Sequence, residues 1–173
     1  LMLNASTKSG VSHFILASTV KAVGETSRET WNGRTPPQPV DPYGISKLEA
    51  ELLLHDNRPA ISTCSLRYPL IYGPGMRGNM LRLFELIDHG CPVPAGAENN
   101  ARSLLFVGNA TAAIRRVLHV AVAGELTQSG PWFVADGPSF STNELVHRIA
   151  IALGTSARTI RLPENLLRRI ARA

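Results

Sequence analysis

The sequence predicts an α/β fold built around a largely parallel sheet. Strand-like apolar segments alternate with helix-like segments along nearly the whole chain, which is the pattern of β-α-β layering. The 173 residues are 44% hydrophobic and 18% charged, as in a globular domain with a sizeable core. No apolar run is long enough to span a membrane, and repeats and low-complexity linkers are absent.

Short apolar or β-branched runs bounded by Gly, Pro and Asn mark the expected strands. They cover residues 13–17, 61–67, 103–107 and 131–135. Helices are expected where a 3.6-residue apolar period follows a capping signal. They cover residues 1–9, 42–56, 78–89, 109–123, 142–153 and 163–172.

Two helix starts carry clear capping signals. Asp41 is a favourable N-cap and Pro42 a favourable first residue. The buried stripe of that helix is expected to carry Ile45, Leu48 and Leu52. Ser141-Thr-Asn-Glu144 forms a capping box ahead of the helix over 142–153.

The chain is basic, with a formal net charge of +5. Such a charge fits either a solvated basic surface or a site for an anionic small ligand such as a nucleotide. Basic and aromatic residues do not interleave along any one stretch, so nucleic acid is not an expected partner. Three arginines near the C-terminal end are expected to form a solvated helix face: Arg168, Arg169 and Arg172.

The cysteines and histidines lack the spacing of a metal site. Cys64 and Cys91 form no redox or zinc motif, which is typical of a reducing compartment such as the cytoplasm. The five histidines are scattered along the chain. No metal is therefore expected, and no signal-peptide pattern opens the sequence.

Residues 40–50 read V-D-P-Y-G-I-S-K-L-E-A and place Tyr43 and Lys47 four residues apart. Because this is one helical turn, the two side chains share a face. An ammonium beside a phenol stabilises the phenolate, the form that takes a proton from an alcohol. The pair is a candidate acid/base, and the spacing alone also fits a helix start with a surface lysine.

The order of the surrounding segments makes the pair of Tyr43 and Lys47 a more specific indication of function. The first strand runs into Ser18-Thr19-Val-Lys-Ala-Val-Gly24, and a later strand leads into Leu66-Arg-Tyr-Pro-Leu-Ile-Tyr-Gly-Pro-Gly75. The series resembles the extended short-chain dehydrogenase/reductases, and among them the NAD-dependent epimerase/dehydratases that act on nucleotide sugars. The residues of the later segment are most similar to those of bacterial polysaccharide members of the UDP-glucose 4-epimerase and UDP-N-acetylquinovosamine dehydrogenase types.

The resemblance implies the C-terminal part of a doubly wound, Rossmann-type parallel sheet with a small mixed α/β substrate-binding lobe. Residues 1–75 would form the back half of the NAD-binding domain. Residues 76–173 would form mainly the nucleotide-sugar lobe, with returning sheet elements. The family's glycine loop has no counterpart here, so the sequence is expected to be a fragment. Alone, this fragment is expected to bind no NAD. The parent protein is expected to be a homodimer.

The resemblance also implies roles for the residues near the strand ends. Tyr43 would be the general acid/base, and Lys47 would stabilise its phenolate and hold the nicotinamide ribose hydroxyls. Thr19, five residues before Gly24, would hydrogen-bond the reacting sugar oxygen. Ser18 is the neighbouring candidate and a cofactor contact. Both hydroxyls also fit strand ends that simply bond a turn.

The segment Gly73-Pro-Gly-Met-Arg-Gly78 matches G-x-G-x-x-G between a strand and a helix. Pro74 in the turn, Pro69 at the strand end and the lack of an acidic residue at a later strand end argue against a dinucleotide-phosphate loop. The resemblance implies instead that the backbone at Tyr68 and Pro69 approaches the nicotinamide amide.

Substrate contacts are implied farther along the chain. Asn79 opens a helix, whose N-terminus favours anions, and Arg102 carries a fork that suits phosphate oxygens. The resemblance places both at the sugar-nucleotide diphosphate. A plain N-cap and a surface arginine are the alternatives. Val93 and Pro94 form either a wall for the nucleobase or an ordinary apolar loop.

Some positions depart from the family pattern. Leu70 stands where many epimerases carry Asn, and Val23 where many carry Tyr, which leaves the sugar open. Val20 and Lys21 stand where a dehydratase carries an acidic pair, which argues against that branch. The remaining large aromatic residues are expected to serve core or loop packing: Trp31, Trp132 and Phe133.

The expected function is NAD-dependent oxidation of a nucleotide-sugar hydroxyl to a keto intermediate, completed as an epimerase or a dehydrogenase. NADP is the alternative cofactor. A reductase of steroid-like or flavonoid-like carbonyls would share Tyr43 and Lys47, and a non-catalytic nucleotide-binding module is a third possibility. Asn79 and Arg102 favour a charged nucleotide over a lipophilic ketone.

Overall fold

A computed structural model describes residues 2–27, 29–56, 61–95, 100–126 and 130–161. The chain divides into two compact units. The first contains Leu1–Ile71 and Leu105–Ala135, and the second contains Tyr72–Leu104 and Asp136–Ala173. The chain thus leaves the first unit, returns to it for about thirty residues, and ends in the second.

The helices and strands of the described residues alternate along the chain. In order they are α1 (Met2–Lys8), β1 (His13–Thr19), a 3₁₀ turn (Val20–Ala22), α2 (Pro42–Asp56), β2 (Ser62–Tyr68), β3 (Leu70–Tyr72), α3 (Asn79–Asp88), β4 (Val93–Ala95), β5 (Leu104–Phe106), α4 (Val107–Val122), β6 (Trp132–Phe133), α5 (Thr142–Leu153) and β7 (Thr159–Arg161). The predicted α/β class is confirmed.

The first unit is built on a parallel sheet with strand order β1-β2-β6. Ser18 is in register with Arg67, which is in register with Phe133. One residue farther, Thr19 is in register with Tyr68. The strands therefore end together, and their carboxyl ends form a single edge of the sheet.

The helix predicted over 42–56 has those bounds, but its predicted buried stripe is wrong. Ile45 is 43% exposed and Leu52 is 48% exposed, while Leu48 is half-buried. The buried positions are Gly44, Glu51 and Leu54. The apolar period predicted the wrong face because a backbone contact at Gly44 and a paired charge at Glu51 occupy two of the three buried positions.

Each unit has its own hydrophobic core. The buried core of the first consists of Cys64, Leu66, Tyr68, Leu105 and Ala110. That of the second consists of Met80, Ile87, Val93, Leu104, Leu145, Val146, Ile149 and Ala150. The capping box predicted for α5 is confirmed, since Ser141 accepts from the Glu144 N–H and Glu144 accepts from the Ser141 N–H.

Three short strands were not predicted. β3 follows Pro69, which ends β2, and the segment around Val93 and Pro94 is strand β4 rather than a loop, parallel to β7. These strands are three residues long and β4 contains a proline, so they lack a local strand signal. The helix predicted over 163–172, with its arginines, lies outside the described residues.

The large aromatic residues expected in core or loop packing differ in their exposure. Trp132 is 42% exposed and therefore lies outside the core, and its indole lies against Gly130 in the preceding segment. Trp31 is half-buried beside Gly24 and packs within the loop, as expected. Across the described ranges, no helix combines the length and apolar character needed to cross a membrane.

Candidate active site

The site begins at the carboxyl ends of the parallel strands β1 and β2, where ligands of open α/β sheets bind. Ser18 and Thr19 end β1, and Tyr68 ends β2 beside Thr19. All three residues are buried. The predicted site residues of the first unit therefore meet at one edge of the sheet.

The N-terminus of α2 is held against the turn that follows β1. Asp41 caps the helix by accepting from the Gly44 N–H at 2.6 Å. Lys21 Nζ lies 2.5 Å from the second Asp41 oxygen and 2.7 Å from Glu25. Gly44 has no side chain to keep the helix away, and a Cβ there would collide with the Lys21 carbonyl oxygen.

This cluster shifts the pKa values of Lys21 and Asp41. The hydrogen bond to Asp41, followed by the one to Glu25, raises the pKa of Lys21. The hydrogen bond from Lys21, followed by the Gly44 backbone N–H, lowers the pKa of Asp41. Both charged forms are therefore favoured in the folded chain.

Tyr43 and Lys47 lie on the same side of α2, as the spacing predicts. Lys47 Nζ is 5.9 Å from the centroid of the Tyr43 ring. The same ammonium donates to the carbonyl oxygen of Ala17 at 3.0 Å, near the end of β1. The Tyr43 side chain is 51% exposed, so its phenol is accessible to a ligand. The structure brings this pair to the strand ends.

The two adjacent hydroxyls at the end of β1 have different partners. Thr19 Oγ1 accepts from the Lys21 N–H at 3.3 Å and so retains its own proton for donation. Ser18 Oγ donates to Glu51 Oε1 at 2.5 Å. The Ser18 hydroxyl is thus occupied inside the protein, which does not fit the cofactor contact expected of it.

Sequence reasoning missed a buried ion pair behind these residues. Arg67 Nη2 lies 2.6 Å from Glu51 Oε2, and Arg67 Nε lies 3.1 Å from both carboxylate oxygens. The guanidinium lies 5.4 Å from the Phe133 ring centroid. The available signals were an arginine inside an otherwise uncharged strand and a glutamate four residues after Lys47.

The side chain of Tyr68 is fixed on the core side of β2. Its hydroxyl donates to the carbonyl oxygen of Ala110 at 3.5 Å, and burial, with a smaller contribution from Cys64, raises its pKa. Its side chain is therefore part of the core, and a cofactor contact there would come from the backbone. Pro69 follows between β2 and β3.

The remaining predicted residues belong to the second unit. Asn79 is exposed at the first position of α3, and Arg102 is exposed beside a two-residue backbone bridge to Phe140. Val93 is buried in the core of this unit, and Pro94 is half-buried. Burial of Val93 leaves Pro94 as the more accessible of the two proposed nucleobase contacts.

Metal-binding side chains do not cluster in the described part of the chain. No group of three or more His, Cys, Asp or Glu residues is close enough there to hold an ion. The glycines of the G-x-G-x-x-G segment serve a turn, with φ of 129° at Gly73, 79° at Gly75 and 66° at Gly78. Such φ values favour glycine regardless of any phosphate.

Parallel strands ending beside a Tyr-x-x-x-Lys helix are the arrangement of a short-chain dehydrogenase/reductase, and comparison with known proteins identifies the branch. Residues 1–128 match the NAD dependent epimerase/dehydratase family. The chain belongs to this family.

Particular relatives refine the comparison. The chain is 34% identical over 151 residues to a UDP-glucose 4-epimerase of Vibrio cholerae, covering 84% of this chain and 44% of the relative. UDP-glucose 4-epimerase of Thermus thermophilus, solved with NAD, aligns with a TM-score of 0.67 and 26% identity over 92% of this chain and 54% of that one. UDP-glucuronic acid 4-epimerase of Bacillus cereus, solved with UDP-glucuronic acid and NAD, aligns with a TM-score of 0.73 and 25% identity. That alignment covers 93% of this chain and 52% of the epimerase. The chain spans about half the length of these proteins.

Proposed function

We propose that the whole protein is an NAD-dependent nucleotide-sugar epimerase or dehydrogenase that oxidises a sugar hydroxyl to a ketone. The observation that carries the proposal is the placement of Tyr43 and Lys47 at the end of β1. Lys47 bonds the carbonyl oxygen of Ala17 there, two residues before Thr19. An acid/base, its cation and a hydroxyl donor thus lie along one strand end.

The residues present fit the nicotinamide end of a nicotinamide dinucleotide. The Lys47 ammonium carries three protons, of which one bonds Ala17, so it has donors for ribose hydroxyls. The backbone at Tyr68 and Pro69 ends the neighbouring strand, where it can approach the nicotinamide amide. NAD, when bound, supplies the hydride acceptor.

The chain's own residues handle the proton. In the proposed reaction the Tyr43 phenolate takes the proton of the sugar hydroxyl as the carbon–oxygen double bond forms. The Lys47 ammonium stabilises that phenolate by its positive charge. Thr19, whose hydroxyl proton is available, donates a hydrogen bond to the reacting oxygen. Thr19 suits this role better than Ser18, whose proton is bound to Glu51.

The second unit is proposed to hold the substrate's diphosphate. The side chains of Asn79 and Arg102 are exposed there, and an arginine fork matches phosphate oxygens in geometry and charge. The net charge of +5 favours an anionic ligand in general. Pro94 is a proposed contact for the nucleobase. The relatives named above are 4-epimerases of UDP-sugars, and we extend that substrate class to this protein.

Replacement of Tyr43 tests the proposal directly. In the whole protein, Tyr43→Phe is expected to slow single-turnover hydride transfer, followed by nicotinamide absorbance, by about 10²–10⁴-fold because the acid/base is lost. NAD affinity, measured by calorimetry, should be unchanged. Tyr72→Phe removes a phenol hydroxyl elsewhere and is the matched control. A wild-type rate in Tyr43→Phe would refute the assignment.

A substrate panel separates this function from a carbonyl reductase that uses the same pair. UDP-sugars and lipophilic ketones are compared in the same assay. Turnover of UDP-sugars supports the proposal. Turnover confined to the ketones contradicts it, and binding of UDP-sugars with no turnover of either class indicates a non-catalytic nucleotide-binding module.

A further inference from the structure

One carboxylate joins α2 to two strands of the parallel sheet. Glu51 accepts hydrogen bonds from Ser18 of β1 and from Arg67 of β2. The Glu51 and Arg67 side chains are only 3% and 5% exposed. Ser18 and Arg67 are register partners, so the carboxylate sits over a single row of the sheet. That row is one residue before the row of Thr19.

The buried carboxylate lies on the same stripe of α2 as the proposed acid/base pair. Tyr43, Lys47 and Glu51 recur at intervals of four residues, which places them on one side of the helix. Two of them contact successive residues of β1. Lys47 donates to the carbonyl oxygen of Ala17, and Glu51 accepts from the hydroxyl of Ser18. Glu51 and Lys47 therefore contact neighbouring residues at the end of the same strand.

We propose that Glu51, together with Arg67, is a positioning residue for the reaction: it sets the rotation and axial position of α2 against the strand ends. The location of the Tyr43 phenol relative to Thr19 follows from that setting. The kinetic part of this inference rests on the proposed function, whereas the geometric part does not.

Stability alone is a poor explanation for such a pair. The cost of removing two charges from water largely offsets their attraction, so apolar side chains often fill such a place equally well. Apolar side chains, however, impose no preferred rotation. The planar fork of Arg67 on the carboxylate has a fixed geometry, and Ser18 adds a second direction. Phe133 covers the guanidinium, which limits its movement.

Glu51→Gln in the whole protein is the principal test, because it keeps the shape of the side chain and removes its charge. Single-turnover hydride transfer, measured at saturating NAD with a UDP-sugar, is expected to fall about 10²-fold, because a small misplacement of reacting groups has a cost of this size. A readout independent of activity is the fluorine NMR signal of a fluorotyrosine incorporated at Tyr43. This signal should shift in Glu51→Gln.

Three further variants separate positioning from stability and charge. Leu54→Ala removes a buried apolar contact from the same helix, and Glu49→Gln removes an exposed charge. Both should keep the wild-type fluorine signal and the wild-type rate. Ser18→Ala removes one link but leaves the ion pair, and it provides the test if Glu51→Gln does not fold. Ser18→Ala should shift the fluorine signal in the same direction as Glu51→Gln.

A wild-type fluorine signal in Glu51→Gln, or in Ser18→Ala where the former does not fold, would overturn the inference. An equal shift in Leu54→Ala would also overturn it, because the effect would then follow from general destabilisation. If the whole protein turns over no UDP-sugar, the proposed function fails. The fluorine comparison still decides whether Glu51 positions the helix.

Discussion

Arg102 shows how a single side chain can be presented to a ligand. Its backbone is fixed by a reciprocal pair of hydrogen bonds with Phe140, at 2.8 and 2.9 Å, while its side chain is exposed. A cation on a fixed backbone binds an anion with less loss of conformational freedom than one on a free loop. This arrangement suits the proposed contact with a diphosphate.

Arg102→Ala is therefore expected to weaken binding of UDP by about 1.5–3 kcal/mol, the usual contribution of a charged hydrogen bond. The rate of hydride transfer at saturating UDP-sugar should change less. Calorimetry with UDP measures the loss, and Arg116→Ala, an exposed arginine in the first unit, is the control. Unchanged affinity in Arg102→Ala would remove this residue from the site.

The start of α2 shows how one element is held in place by charge. Asp41 caps the helix and pairs with Lys21, which also pairs with Glu25. The cluster ties the helix that carries Tyr43 to the turn after β1. Its contribution to stability depends on pH because folding shifts the pKa of each residue: that of Asp41 is lowered and that of Lys21 is raised.

The sign of this dependence follows from the shifts. The pKa of Asp41 is lowered from its ordinary 3.8, so its contribution is complete above pH 3.8 and lost as pH falls through the lowered value. The pKa of Lys21 is raised from 10.5, so its contribution is complete below pH 10.5 and lost as pH rises through the raised value. Asp41→Asn should be less stable than wild type between these limits.

Urea unfolding measured from neutral pH down to well below pH 3.8 checks the expectation. The stability difference between wild type and Asp41→Asn should shrink toward acid, where the wild-type carboxylate is protonated. Glu29→Gln, an exposed carboxylate in the following loop, should follow the wild-type profile. A difference that stays constant down to the most acidic pH would show that the charge of Asp41 contributes nothing.

The described residues form two hydrophobic cores, one in each unit, and α5 contributes four buried residues to the second. Leu145, Val146, Ile149 and Ala150 are its buried contributions. Ile149 is 4% exposed, whereas Ile151, on the same helix, is 66% exposed. The same residue type thus lies in opposite environments two positions apart.

Ile149→Ala is expected to lower the free energy of unfolding by about 2–5 kcal/mol, because it removes buried apolar contacts and leaves a cavity. Ile151→Ala should change it by less than about 0.5 kcal/mol, as is usual for exposed positions. Thermal or urea unfolding of the two variants gives the comparison. Equal losses would contradict the assigned face of α5.

Much of the fold and part of the candidate site could be predicted from local signals. The N-cap at Asp41 and the capping box at Ser141 predicted the starts of α2 and α5. Capping depends on residues within one turn, so a short stretch of sequence contains the whole interaction. The side shared by Tyr43 and Lys47 follows in the same way from helical periodicity.

Partners distant in the sequence decided the rest. The short strands β4 and β7 exist because they pair with each other, and neither has a strong signal alone. The helix α2 turns Glu51 inward, and Ile45 and Leu52 outward. Helical periodicity could not predict this choice, because a buried carboxylate is stable only where Ser18 and Arg67, from two other elements, supply its hydrogen bonds. The same contacts support the choice of Thr19 over Ser18, which the spacing to Gly24 had already favoured.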